Sequence, residues 1–265
     1  MIKNIKKIIY IYILRFPWIT LHFLLFICLF FIDFKLEYLL MSLIGWILIG
    51  GFGVELGLHR YYSHRMFKLN KFWEVIVTFL GTMSFQGTPH FWAAVHRASH
   101  HPNADKENDP HSPKNGIFHS YFGWQYNFNY NIFKSKFRYI KDVMRNDTAK
   151  FFNKYYYYIN FSVLSLFLFI NINIGFYLLL FPIVFSWHMV NMTNVLGHCE
   201  SIGYKKLQTK DDSINNRFLS FLTWGQMLHN NHHAKPMSSN FAKNKYEIDT
   251  CYPLILLISS KERKK

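Results

Sequence analysis

Four long apolar blocks constrain this chain more than any other feature of its sequence. The first is Phe16–Phe34, FPWITLHFLLFICLFFIDF, with no charge before Asp33. Tyr38–Leu58 follows with only Glu55 inside it, then Tyr155–Ile172 and Ile174–Val195, whose edges are interrupted by Asn160, Asn171 and Asn173. About twenty apolar residues in a helix cover the hydrocarbon core of a bilayer. The blocks therefore predict four membrane-spanning helices, at about 16–34, 38–58, 155–172 and 174–195. Buried helices of a soluble protein are the competing reading. A signal peptide is excluded for the first block, which is too long, lacks a small-residue cleavage site and runs straight into a second span.

The charges lie between the blocks. Net charge is +15, and basic residues gather at Lys3–Lys7, Arg60–Lys71, Lys134–Lys154, Lys205–Lys210 and Lys261–Lys265. With four spans all five segments fall on one side, leaving only the turns Asp33–Glu37 and Asn171–Gly175 on the other. Positive charge stays inside, so both termini are expected in the cytoplasm. No nucleic-acid motif accompanies the charge, and no nucleic-acid partner is expected. Cys28, Cys199 and Cys251 are isolated, which suggests neither a disulfide framework nor a thiolate metal site.

The expected architecture is all-α: one integral-membrane domain over 1–265, with four spans and a cytoplasmic helical cap. Lys3–Leu14 reads as an interfacial helix. Phe72–Phe85 reads as a helix on, or dipping into, the cytoplasmic face, and Phe91–His101 as a helix stopping at Pro102. Asn103–Gly116 reads as a loop, and a further helix is expected around Asn216–His229.

Histidine spacing carries the chemistry. Among fourteen histidines, three groups stand out: His59-Arg-Tyr-Tyr-Ser-His64, His96-Arg-Ala-Ser-His100-His101 and His229-Asn-Asn-His232-His233. A fourth element, Asn194-Val-Leu-Gly-His198, closes the last span. His96 and His100 share a helical face, as do His229, His232 and His233. His59 and His64 are five apart, about 140° around a straight helix; they meet only if the helix ends or bends, or they serve different metals. Four spans bring all groups out on one side. Neutral imidazole suits Fe, Zn, Cu or Ni, and nine imidazoles exceed the three or so that one catalytic ion takes, which suggests two metals. His22, His90, His119 and His188 fall outside the groups, and His111 reads as a supporting residue.

The pattern resembles the membrane fatty-acid desaturases, and its details look like the stearoyl-CoA (acyl-CoA delta-9) branch in a bacterial-like form. The resemblance covers roughly residues 40–250. It is carried by GLHRYYSHRMFK (Gly57–Lys68), FQGTPHFWAAVHRASHH (Phe85–His101), NDPHSP (Asn108–Pro113), HSYFGW (His119–Trp124), DDSINN (Asp211–Asn216) and HNNHHA (His229–Ala234). It implies that two irons are held by His59, His64, His96, His100, His101, His198, His229, His232 and His233, with Asn194 reaching one metal through water. Gln86 and Trp92 would line a bent acyl tunnel. Three positions depart from the family pattern: the second group has three residues before its His pair where animal members have two, Gln226 stands for a common Glu, and Val190 for a common tunnel threonine.

The implied reaction is dioxygen-dependent insertion of a cis double bond into a saturated acyl-CoA, in the bacterial inner membrane or the endoplasmic reticulum. Electrons would come from a separate cytochrome b5-like or ferredoxin-type donor, and Arg60, Arg65, Lys68 and Arg97 either hold the phosphates of CoA or a lipid headgroup or snorkel at the interface. An acyl-lipid desaturase or a membrane di-iron hydroxylase would use the same scaffold. A histidine-rich metal transporter would need polar residues inside the spans, which are nearly free of ionisable groups.

Overall fold

The computed structural model of the protein describes residues 17–126 and 135–262. The expected interfacial helix at Lys3–Leu14 lies outside them. The described chain is helical apart from one two-stranded antiparallel ribbon, β1 (Phe67–Lys68) with β2 (Lys261–Glu262).

Two helices are long and apolar enough to cross a membrane: α2, Leu36–Ser63, and α9, Ile172–Leu196. They match the second and fourth expected spans. The other two blocks form shorter apolar helices, α1 (Trp18–Cys28, 11 residues) and α8 (Tyr156–Ile170, 15 residues). At 1.5 Å per residue these reach only about 16 and 22 Å. Helix α1 stops early because the chain turns at 29–31 and extends through 32–35. There it is tied to the second helical pair: Asp33 N–H donates to Asn173 Oδ1 (2.8 Å) and Tyr177 O–H to the Asp33 carbonyl (2.9 Å).

Helix α2 changes character along its length. Leu36–Trp46 is ordinary α-helix, whereas Ile47–Ser63 is wound in wider π turns whose hydrogen bonds reach the fifth residue. Helix α3 (Lys71–Met83), capped by the Asn70 side chain, lies against this half at backbone distance. A Cβ on Gly53 would stand 2.6 Å from the Leu80 carbonyl carbon and 2.7 Å from Gly81 N. The main apolar core joins α1, α2, α3, α8 and α9 through Leu21, Ile49, Met83, Leu164, Leu180 and Ile183.

Three short segments, Pro89–Trp92, Ala93–His100 and His101–Asn103, run on as α4. The helix therefore passes through Pro102, which sits in its last turn. Residues 104–116 are irregular except for one short turn at Pro113–Asn115. The single helix expected at Asn216–His229 is instead two: α10 (Arg217–Leu222), capped by Asn216, and α11 (His229–Ala234). The break comes at Trp224 and Gly225, both at positive φ. It lets the Trp224 carbonyl accept from the buried Arg60 guanidinium (3.0 Å), and any Cβ on Gly225 would strike Asp249.

Replacing Gly53 by Val is expected to force α2 and α3 apart at a cost of about 1–3 kcal/mol. An unchanged melting temperature in detergent would show that the two backbones do not touch there.

Candidate metal centre

The wide turns of α2 bring together what α-helical spacing separates. His59 and His64 lie five apart, one wide turn, and the His64 N–H donates to the His59 carbonyl (3.1 Å). Their rings are 4.9 Å apart. The same winding in α4 puts His101 beside His96, ring nitrogens 3.1 Å apart. His100, one ordinary turn from His96 and expected on its face, belongs to a different cluster.

Five imidazoles form the first cluster. His59 Nε2 lies 2.9 Å from His96 Nε2 and 3.2 Å from His232 Nε2, and His101 Nε2 lies 3.0 Å from His232 Nε2. The His64 ring packs 4.6 Å from both His101 and His232. The second cluster holds His100, His198, His229 and His233. Here His100 and His233 Nε2 are 3.2 Å apart, and His198 and His229 Nε2 3.1 Å. Helix α11 serves both, sending His232 to the first cluster and His229 and His233 to the second. All nine histidines singled out in the sequence meet in one volume.

Four of the rings are oriented by carboxylates. His59 Nδ1 donates to Glu55 (2.9 Å), His100 Nδ1 to Asp109 (3.0 Å), His198 Nδ1 to Asp105 (2.8 Å) and His233 Nδ1 to Asp211 (3.0 Å). A carboxylate only accepts, so in each neutral ring the hydrogen sits on Nδ1 and the lone pair on Nε2. His100 and His233 then face each other lone pair to lone pair at 3.2 Å. That arrangement repels unless a cation lies between. Two nitrogens each about 2.1 Å from one ion stand roughly 3 Å apart or slightly more. The donor set therefore fits a metal in each cluster.

Burial supports the neutral form. It is the largest cause pushing His64, His96, His101, His229, His232 and His233 well below the ordinary imidazole value, and neighbouring rings add to it. Burial also takes His111 down to about 3, with help from His100. His100 goes the other way: burial lowers it, but the Asp109 carboxylate outweighs that and raises it. Asp109 is held well below the carboxylate range by His100 and His111 against its own burial.

An apolar-walled cavity opens onto both clusters. His59, His96, His100 and His229 line it together with Gln86, Trp92, Trp187, Val190 and Asn194. Gln86 and Trp92, expected in an acyl tunnel, are thus on its wall, and Trp92 Nε1–H donates to the Gln86 carbonyl (3.0 Å). Asn194 shares the wall with His100 and His229. Four of the remaining histidines are satisfied elsewhere. His22 and His188 pair at 3.0 Å, with Tyr121 on His188, while His90 and His119 contact backbone carbonyls. His111 packs on His100 at 4.3 Å.

Two expectations need correction. Arg60 is fully buried, gripped by Asp249 at 2.8 Å twice and by Glu55 at 2.6 Å, with Phe241 under its plane. It holds no headgroup phosphate; it neutralises the carboxylate that orients His59. Arg97 and Arg65 both pair with Asp142. The supporting carboxylates themselves went unassigned in the sequence. The signal was present: Glu55 lies one turn before His59 in an otherwise uncharged block, and Asp105 and Asp109 follow the His100-His101 pair directly.

Comparison with known proteins agrees with this geometry. A family model described as fatty acid desaturase matches residues 36–242. The sn-1 stearoyl-lipid 9-desaturase of Anabaena variabilis is 30% identical over 82% of this chain and 78% of its own length. The acyl-CoA C20 Delta5-desaturase of Anemone leveillei is 31% identical over 79% and 67%, and the Delta-9 acyl-lipid desaturase 2 of Arabidopsis thaliana 32% over 78% and 67%. On this family match and these relatives, the chain belongs to the fatty acid desaturases and is an oxidoreductase.

Proposed function

We propose that the protein is a dioxygen-dependent acyl desaturase that introduces a cis double bond, at the delta-9 position, into a saturated acyl chain. The observation that carries this reading is the pair of imidazole clusters at the wall of one apolar cavity. An unactivated methylene offers no acidic proton to an ordinary side chain, so the reaction needs a metal-borne oxidant, and a pair of irons with dioxygen supplies it. His59, His64, His96, His101 and His232 would hold one iron. His100, His198, His229 and His233 would hold the other, with Asn194 acting through water. Glu55, Asp105, Asp109 and Asp211 keep four rings aimed inward. Trp92, Trp187 and Val190 exclude water and position the chain, and Gln86 bounds the same space.

Four spans with both termini cytoplasmic remain our reading of topology. Its support is the apolar skin of α1 and α8: Phe23, Phe26, Phe30 and Phe31 are exposed, as are Phe34 (81%) and Phe169 (90%). The basic run Arg60–Lys71 begins at the histidine end of α2. On that side Arg65 and Arg97 rim an open depression over His64 and His101, a suitable approach for a separate electron donor, cytochrome b5-like or ferredoxin-type.

The acyl carrier has two readings. CoA was expected from the resemblance to the stearoyl-CoA branch, but of the basic residues offered for its phosphates Arg60 is buried and Arg65 and Arg97 are paired internally. That favours an acyl-lipid carrier as the second reading, in keeping with the lipid 9-desaturases among the relatives.

Membranes containing the protein, given reductant and either stearoyl-CoA or lipid-bound stearate, are expected to yield a monounsaturated product by mass spectrometry. A hydroxylated product would select the hydroxylase instead, and no product at two irons per chain would end the reading. His232→Ala is expected to abolish product and remove iron; full activity would take that residue out of the centre.

Acid should destabilise the metal-free fold. Six cluster imidazoles are held neutral in the folded state but take up protons when unfolded below about pH 6.5, so the unfolded state binds more protons there. His100, raised by Asp109, opposes this as a single group. The melting temperature is expected to be lower at pH 5.5 than at 7.5; equal values would mean the rings are solvated.

A further inference from the structure

The two clusters differ in their charge. The four-histidine cluster is backed by three aspartates, one on each of His100, His198 and His233. These carboxylates are buried, with side-chain exposures of 0% for Asp109, 4% for Asp105 and 13% for Asp211. Among the described residues no lysine or arginine comes within ion-pair distance of any of them. Of the nearby bases, Lys114 pairs with the adjacent Asp212, and Lys205 with Glu200 at 3.0 Å and Asp212 at 3.9 Å. The other bonds to the three aspartates come from neutral donors: the Asp212 N–H to Asp105, the Asp105 and His111 N–H groups to Asp109, and Ser213 to Asp211.

The five-histidine cluster is backed by one carboxylate, Glu55, and that one is neutralised. Its Oε1 accepts from Arg60 Nε at 2.6 Å, while Oε2 takes His59 and the Gln226 amide. His232, fully buried, has no partner for its Nδ1, and the same holds for His229 in the four-histidine cluster.

A carboxylate behind an imidazole fixes the ring and raises its basicity toward a metal, and a bare buried carboxylate also attracts the cation directly. We propose that Asp105, Asp109 and Asp211 make the four-histidine cluster the tighter metal position, so that iron leaves the five-histidine cluster first. The inference rests on the two-metal reading above. It adds an order of occupancy and names the positioning residues that set it.

The test follows iron per chain while iron-loaded protein in detergent is titrated with a chelator. Wild type is expected to release iron in two steps. His64→Ala should keep one iron that leaves at the second step, whereas His233→Ala should lose the resistant iron. Asp105→Asn with Asp211→Asn keeps hydrogen-bonding groups of the same shape and should move the late step alone, by about 10–100-fold in chelator. Glu55→Gln should move only the early step. Mössbauer spectra give a readout independent of release: the Asp pair should alter one of two iron signals. Release in a single step, loss of the resistant iron in His64→Ala, or equal movement of both steps in the Asp pair would overturn the proposal. If one of the two histidine variants does not fold, the other still assigns the late iron to a cluster, and single-step release in wild type overturns the proposal in either case. Wild type that takes up no iron would instead sink the di-iron reading itself.

Discussion

An imidazole offers its lone pair to a cation best when its other nitrogen is held in place, and four of the nine rings here are held by carboxylates. Nine rings converge with several nitrogens about 3 Å apart, and where two lone pairs face each other, as in His100 and His233, the pair repels without a cation between them. Each element near the centre serves it. Helix α2 carries Glu55 and His59 one turn apart; the irregular stretch after α4 brings Asp105 and Asp109 back beneath the rings; the segment before α10 brings Asp211. Apolar packing sets these elements, but the paired rings and carboxylates explain why so many polar groups are buried together.

Arg60 shows what that burial costs. A guanidinium with no exposed surface is destabilising unless every donor is used. Here Glu55, Asp249 and the carbonyls of Ser239 and Trp224 use them. The demand propagates outward: the chain breaks between α10 and α11 so that Trp224 can reach it, and Gly225 has no side chain because Asp249 occupies the space. A residue that reads in sequence as a surface base is thus the link between the C-terminal segment and the histidine centre.

Much of the site was legible because its signal is chemical rather than geometric. Fourteen histidines in recurring groups beside apolar blocks leave few alternatives, and all nine chosen rings converge. What misled was the assumption of regular α-helix. With 3.6 residues per turn, His96 pairs with His100 and His59 misses His64. Wider turns in α2 and α4 reverse both relations. Those turns have no plain sequence signature; in α2 they lie where α3 packs against Gly53 and Gly57. The lengths of α1 and α8 were also overestimated, because apolar composition continues past the residue where the backbone turns.

The sequence alone determined the helical class, the apolar blocks, the identity of the converging imidazoles and the kind of chemistry they suit, because these follow from residue type and local spacing. Only the tertiary structure decided how nine rings divide into five and four, which carboxylate stands behind each, and that Arg60 faces inward. Those outcomes depend on contacts between residues as many as 189 positions apart, such as Arg60 with Asp249. No local pattern encodes such a contact.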